Sequence, residues 1–289
     1  MTFGPLVDSQ WLADELVSNE PGKPALQVLD ASAYLPNEPL DALALFHEAH
    51  LPGARFFDIE LFSDPDTSLP HMVPSQGRFA RLAGELGLRN DARIVVYDQK
   101  GLFSAARAWW LLKLFGHDQV AVLDGGLPKW RDEGRALHSG AVTTDRSQFD
   151  VAFRPALLRG RGDVQHNLET GAELLLDARA GARYRAEAAE IRPGVEAGHI
   201  PHSLNLPYNE LLNADQTFKP AEQLRQRFAQ LGVDGGQAVV TTCGSGLTAA
   251  IISLALAAAG LPVGALYDGS WTEWGSQPEL PKARGPATL

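Results

Sequence analysis

Sulfur is scarce in this chain: its 289 residues hold one cysteine, Cys243, and two methionines. A single cysteine excludes a disulfide within the chain, a Cys-x-x-Cys redox pair and any zinc site built on cysteine pairs. No apolar stretch is long enough to span a bilayer; the apolar residues 249–259 stop at Gly260 and Pro262. Residues 1–10 lack the basic start and apolar core of a signal peptide. These absences lead us to expect a cytoplasmic protein with no membrane partner. Cationic excess is missing as well: 25 Lys and Arg face 35 Asp and Glu, a formal net charge of -10. A broad basic face for nucleic acid is therefore not expected, and an anionic substrate needs a local cationic pocket. The length suggests two domains, each large enough for its own core.

The lone cysteine lies in the most informative stretch, Val239-Val240-Thr241-Thr242-Cys243-Gly244-Ser245-Gly246-Leu247-Thr248-Ala249. A β-branched run enters a Gly-Ser-Gly turn, and an Ala-rich apolar run follows to Ala259, a pattern that predicts strand, tight loop and helix. Such a loop sets a thiol among backbone N–H groups with no intrahelical partner, at the positive end of a helix dipole. That placement favours reactive rather than merely buried sulfur, the commoner role of a free cysteine. Gly244 and Gly246 weaken regular structure, so they imply positive φ or close backbone approach to a ligand. A phosphatase loop of the C-x5-R type is excluded, because Ala249 stands where the arginine would be.

The chain repeats itself once. Leu29-Asp30-Ala31 recurs as Leu176-Asp177-Ala178, and His50-Leu51-Pro52-Gly53 as His199-Ile200-Pro201-His202. Ile94-Val95-Val96 matches Ala238-Val239-Val240, Asp124-Gly125-Gly126 matches Asp268-Gly269-Ser270, and Trp130 matches Trp274. The five offsets, in order, are 147, 149, 144, 144 and 144. Two copies of one domain account for this. The second copy reads as strands near 174–177, 203–206, 238–242 and 265–267, with helices near 220–231 and 248–259. That alternation predicts an α/β fold, each copy a mostly parallel sheet flanked by helices, with ligands beyond the carboxyl ends of the strands. We expect a non-catalytic copy over 1–138, a polar linker over 139–158 and a catalytic copy over 159–289. Strand-like residues near 149–153 are expected to pack on a domain surface. In the first copy the matching loop reads Tyr97-Asp98-Gln99-Lys100-Gly101, without a cysteine, so that copy is expected to wall an interdomain cleft.

These motifs resemble the rhodanese-like sulfurtransferases, and within them the two-domain 3-mercaptopyruvate branch, over nearly the whole chain. The resemblance also covers Phe56-Phe57-Asp58-Ile59, Leu69-Pro70-His71-Met72, Val122-Leu123-Asp124 and Tyr267-Asp268-Gly269-Ser270-Trp271. It implies tandem rhodanese-like domains, and sulfur transfer from 3-mercaptopyruvate through a Cys243 persulfide with release of pyruvate. Thiosulfate-specific members resemble C-R-K-G-x-T-[AG], with two cations beside the sulfur. The loop Cys243-Gly244-Ser245-Gly246-Leu247-Thr248-Ala249 is uncharged and favours a monoanionic α-keto acid, whose carboxylate is held farther away. Arginine suits that task because its fork matches a carboxylate. The resemblance implies Arg183 and Arg192 as substrate-binding arginines, from a segment that also holds Arg179 and Arg185.

It further implies a catalytic Cys243–Ser245 arrangement completed by His71 and by Glu60, with Asp58 a nearby alternative to Glu60. Gly244, Gly246, Leu247 and Thr248 are the remaining substrate-contacting loop positions; Thr248 by itself reads as a cap of the following helix. In this scheme His71 and water are the candidate proton donors to the enolate. His50 and His199, occupying equivalent places in both copies, read as structural hydrogen-bonders, and Asp30, Asp177, Asp124 and Asp268 as architectural. Arg107 reads as an ion-pair partner within the first copy. His202 departs from the glycine usual in the family. No cofactor or metal is implied. With no resolving cysteine in the chain, an external acceptor is expected; the resemblance implies a thiol such as thioredoxin or a small thiol, or cyanide. Two other readings stay open: a thiosulfate sulfurtransferase, or a sulfur-relay module without turnover.

Overall fold

A computed structural model describes residues 3–287 apart from 19 and 21, so residues 1 and 289, the outer limits expected for the two copies, lie outside the described residues. Two compact units emerge. One comprises Met1–Pro65, Val73–Arg154 and Ala214–Phe218; the other comprises Asp66–Met72, Pro155–Asn213 and Lys219–Leu289. Each copy thus lends a short segment to the other copy's unit.

The first unit runs Leu6–Val7 (β1), Ser9–Val17 (α1), Leu26–Asp30 (β2), Ala42–Glu48 (α2), Ala54–Phe56 (β3), Gln76–Glu85 (α3), Arg93–Tyr97 (β4), Ala105–Leu114 (α4), Val120–Leu123 (β5) and Gly126–Asp132 (α5). All pairings are parallel, in the order β1-β5-β4-β2-β3. The second runs Leu158–Arg159 (β6), Arg161–Thr170 (α6), Glu173–Asp177 (β7), Gly181–Tyr184 (α7), Leu204–Asn205 (β8), Ala221–Ala229 (α8), Ala238–Thr242 (β9), Ala249–Ala258 (α9), Ala265–Tyr267 (β10) and Ser270–Trp274 (α10). Its order is β6-β10-β9-β7-β8, the same topology strand for strand.

The continuous apolar runs in the sequence have a simple cause. Val28, Val95, Ala121 and Leu123 pack with Leu12, Phe46, Leu127 and Trp130 on one face of the first sheet. The intervening Leu29, Ile94, Val96 and Val122 are fully buried on the other face. A parallel sheet covered on both sides has no solvent face on which polar residues can alternate. In the second unit Leu175, Val240, Ala265 and Tyr267 pack with Val164, Trp271 and Trp274, while Leu176, Thr241 and Leu266 are buried opposite.

The repeat needs one correction. Leu26 pairs with Arg93 and Glu173 with Ala238, so Arg93, not Ile94, is the counterpart of Ala238. The offset at these strands is therefore 145 rather than 144. The loop between β4 and α4 holds residues 98–104, one more than residues 243–248 between β9 and α9, and this extra residue restores 144 downstream. Apolar strand residues are interchangeable by eye, so only the hydrogen-bond ladder fixes their register. Residues 149–153 form no strand. They pack on the first unit, where Phe149 is buried edge-on to Phe79 and the Ala152 N–H donates to Phe115 O at 2.9 Å.

The histidines expected to be structural are so. His50 Nδ1 lies 2.8 Å from Phe46 O and stacks on that ring, and His199 Nδ1 lies 2.9 Å from Tyr184 O and stacks likewise. The His202 departure also has a geometric account. His202 sits at φ +63°, close to Gly53 at φ +72° in the first copy, so a left-handed turn is kept here by a residue that takes it less readily. Arg107 is fully buried, with its guanidinium carbon 4.6 Å from the Trp110 ring centre.

Asp124 supports the architectural reading and yields a prediction. Its carboxylate accepts the Phe218 N–H at 2.8 Å and so holds the lent segment Ala214–Phe218 in the first unit. Burial, with the nearby Asp215 charge and against the Phe218 bond, pushes its pKa up from 3.8 to about 6. The native state therefore binds this proton more tightly than the unfolded chain. The associated stability is full below pH 3.8 and is lost as the pH rises through 6. Asp124→Asn keeps the acceptor oxygen without the charge. It should raise stability by about 1–2 kcal/mol at pH 7.5, after discounting for partial exposure, and by almost nothing near pH 4. Urea midpoints at the two pH values check this; a pH-independent difference would refute it.

Candidate active site

Cys243 follows the last residue of β9 and is 1 % exposed. Its surroundings come from α10 as much as from its own loop. The Cys243 N–H donates to Ser270 Oγ at 3.2 Å, and Ser270 in turn donates to Tyr267 O at 2.9 Å. Cys243 O accepts from the Trp271 N–H, and Gly244 O accepts from both the N–H and the hydroxyl of Thr272. Ser270 and Thr272 were not singled out from sequence. The signal lay in the repeat: Ser270 matches Gly126, and both hold left-handed backbone, at φ +49° and +55°.

Ser245 is buried, and its Oγ lies 3.0 Å from His71 Nδ1, which is also 3.3 Å from Ser245 O. His71 sits on the lent segment Asp66–Met72, at φ +61°, and the second unit thereby gains a histidine from distant sequence. Gly246 adopts φ +75°, as its position predicts, whereas Gly244 has no positive φ. A methyl group on Gly244 would lie 3.6 and 3.8 Å from the two terminal nitrogens of Arg183. Leu247 is buried. Thr248 takes the N-cap position of α9 expected from sequence, in helical conformation and without a side-chain capping bond.

Arg183 lies on α7, which follows β7 through residues 178–180. Its Nη2 donates to Glu190 Oε2, and its Nε is buried without a partner. Arg192 is half-buried in the bend that follows Glu190, in the same unit. Glu60 belongs to the first unit, exposed in the turn after β3, where Asp58 accepts the N–H groups of Glu60 and Leu61.

Arg179 is the large surprise of the segment. Sequence groups it with Arg183 and Arg185; the structure separates the three. Arg185 is exposed and paired with Glu187. The side chain of Arg179 is 1 % exposed, forks onto Asp177, donates to Glu190 at 2.9 Å and to Gly198 O at 2.8 Å, and stacks over Trp271. Burial works against its charge, but Asp177, Glu190 and Cys243 outweigh it and raise its hold on the proton.

The first unit shows what the loop shape can hold. Asp98 stands at the counterpart of Cys243, its O accepting from Leu127 N–H as Cys243 O does from Trp271. Asp98 Oδ2 accepts the N–H groups of Phe103, Ser104 and Ala105 at 2.7–2.8 Å, and Oδ1 accepts that of Lys100 at 2.9 Å. This loop between parallel strand and helix is a cradle for a negative charge. Where the first copy fills it with its own carboxylate, the second places a thiol.

A tandem α/β protein with one cysteine at such a cradle defines a class of thiol-dependent group-transfer proteins. The rhodanese-like domain family matches residues 12–133 and 161–277, and the chain belongs to that family. It is 41% identical to human 3-mercaptopyruvate sulfurtransferase, over 93% of this chain and 91% of the relative. It is 39% identical to rat thiosulfate sulfurtransferase, over 93% and 91%. Among solved structures, SseA from Escherichia coli, described as a 3-mercaptopyruvate sulfotransferase, superposes with a TM-score of 0.82 at 38% identity, covering 93% of this chain and 99% of SseA. Among the described residues no helix is long and apolar enough to cross a membrane.

Proposed function

We propose that this protein moves sulfur from 3-mercaptopyruvate to a thiol acceptor through a Cys243 persulfide, releasing pyruvate. The observation that carries the reading is an uncharged thiol loop with the Arg183 guanidinium against Gly244. That arrangement suits a donor whose anionic group lies several atoms from its sulfur. Arg183, with Arg192, holds the carboxylate. The Cys243 thiolate attacks the substrate sulfur; the carbon–sulfur bond breaks, and its electron pair passes into the enolate of pyruvate. Ser245 and the loop N–H groups stabilise the developing charge. The Ser245–His71 pair, or water, delivers a proton to the enolate carbon. An acceptor thiolate, from thioredoxin or a small thiol, then attacks the outer sulfur and frees Cys243, in ping-pong order. Cyanide discharges the persulfide in the same way. The sole cysteine supports an external acceptor and a reducing, cytoplasmic setting. In this reading residues 159–289 carry the thiol chemistry, 1–138 form the copy without a nucleophile and 139–158 join them.

Rat thiosulfate sulfurtransferase, at similar identity, keeps thiosulfate in view as a second donor. Thiosulfate is a dianion whose sulfonate is bonded directly to the transferred sulfur, so cations in the loop would suit it, where this chain has Gly244 and Ser245. Turnover of both donors against one acceptor tests the choice. The value of kcat/KM for 3-mercaptopyruvate should exceed that for thiosulfate by about 100-fold, the worth of two charge-assisted contacts. Equal or reversed preference would overturn the reading.

A further inference from the structure

We propose that Glu190 is the positioning residue that aims Arg183 at the thiol loop. The inference rests on the reading of Arg183 as a carboxylate clamp. Arg183 occupies a four-residue helix that cannot hold a long side chain in place by packing alone, and its side chain remains 23% exposed. Glu190 supplies the constraint. Its carboxylate, 5% exposed, bridges two guanidinium groups: Oε1 accepts from Arg179 Nη1 at 2.9 Å, and Oε2 accepts from Arg183 Nη2. Arg179 is in turn locked by Asp177 at the end of β7, by Gly198 O and by the Trp271 ring. A chain of alternating charge, Asp177–Arg179–Glu190–Arg183, therefore runs from the carboxyl end of the interior strand β7 to Gly244.

Only Nη2 of Arg183 is taken by Glu190, and both terminal nitrogens lie next to Gly244. The pair leaves donors facing the loop while removing the rotamer freedom that binding would otherwise have to remove. A bridging carboxylate could equally act as a competitor, occupying Arg183 until the substrate displaces it. The two roles predict opposite signs. Loss of the Glu190 charge makes the network more cationic, so a mere competitor, once removed, should strengthen anion binding. Loss of a positioning residue should weaken it.

The test uses the full chain with Glu190→Gln and Glu190→Asp, the latter keeping the charge but drawing the carboxylate back by one methylene. Glu187→Gln, at an exposed carboxylate in the same segment, controls for net charge. For Glu190→Gln, KM for 3-mercaptopyruvate should rise about tenfold, with kcat within about twofold, the pattern of lost ground-state orientation. A readout without turnover is the rate of Cys243 alkylation by iodoacetate relative to neutral iodoacetamide, normalised to free thiol. That ratio should fall about fivefold in both Glu190 variants, by loss of one oriented charge-assisted contact, and stay unchanged in Glu187→Gln. A lower KM or a higher ratio would make Glu190 a competitor and overturn the inference, as would unchanged values. A wild-type ratio equal to that of Arg183→Ala would overturn the clamp itself, and the inference with it. If Glu190→Gln does not fold, Glu190→Asp carries the test on the same two readouts.

Discussion

Cys243→Ser is expected to abolish pyruvate release from 3-mercaptopyruvate, by at least about 1000-fold, because the hydroxyl is neither ionised near neutral pH nor able to form a persulfide. The effect should be complete for a reason peculiar to this chain: no second cysteine exists among the 289 residues to take over the sulfur. Serine is slightly smaller and fits the same buried site, so the fold should be kept. The bonds that hold position 243, from Ser270 and Trp271, involve only its backbone and survive the change. Mass spectrometry after a single exposure to donor without acceptor separates chemistry from binding. The wild type should gain the mass of one sulfur on the peptide carrying Cys243, and the variant none. A variant that retained more than a tenth of the wild-type rate would show that sulfur leaves by another route, and the covalent scheme would fall.

The second large effect is on stability. Arg179→Met should cost about 3–5 kcal/mol, since it strands the buried Asp177 carboxylate without its cation and leaves Glu190 with Arg183 alone. Methionine fills much of the volume over Trp271, so packing is largely preserved and the electrostatic part dominates. Burial of both partners makes the pair expensive to break from one side; the Arg179 and Asp177 side chains are each 1 % exposed. Adding Glu190→Gln to Arg179→Met should recover part of the loss, because it removes the excess negative charge left by two buried carboxylates facing the one remaining cation, Arg183, and the two positions share a network. Denaturant unfolding followed by tryptophan fluorescence measures both. A loss below about 1 kcal/mol would show that water reaches these groups after the substitution and that the site is less enclosed than its geometry indicates.

The sequence by itself determined the elements that near neighbours specify. The β-branched residues before Cys243, the glycines after it and the Ala-rich run beyond appear in the structure as β9, a six-residue loop and α9, because each depends on contacts a few residues apart. The repeat likewise announced two sheets of one topology. What sequence could not decide were relations that span the chain. The strand register was missed by one residue, since valine and isoleucine fit either alignment and only the paired backbone distinguishes them. The three arginines at 179, 183 and 185 look alike in sequence, yet one is a buried brace, one faces the thiol loop and one is solvated, according to which carboxylate folds back onto each. His71 reaches Ser245, 174 positions away, on a segment lent between copies. Ser270 and Thr272 hold the loop from a helix that begins 27 residues after the cysteine. Local propensity is written in short windows and can be read there. The position of a charge or a hydrogen-bond donor at the thiol depends on how distant segments close over the sheet edge, which only the folded chain settles.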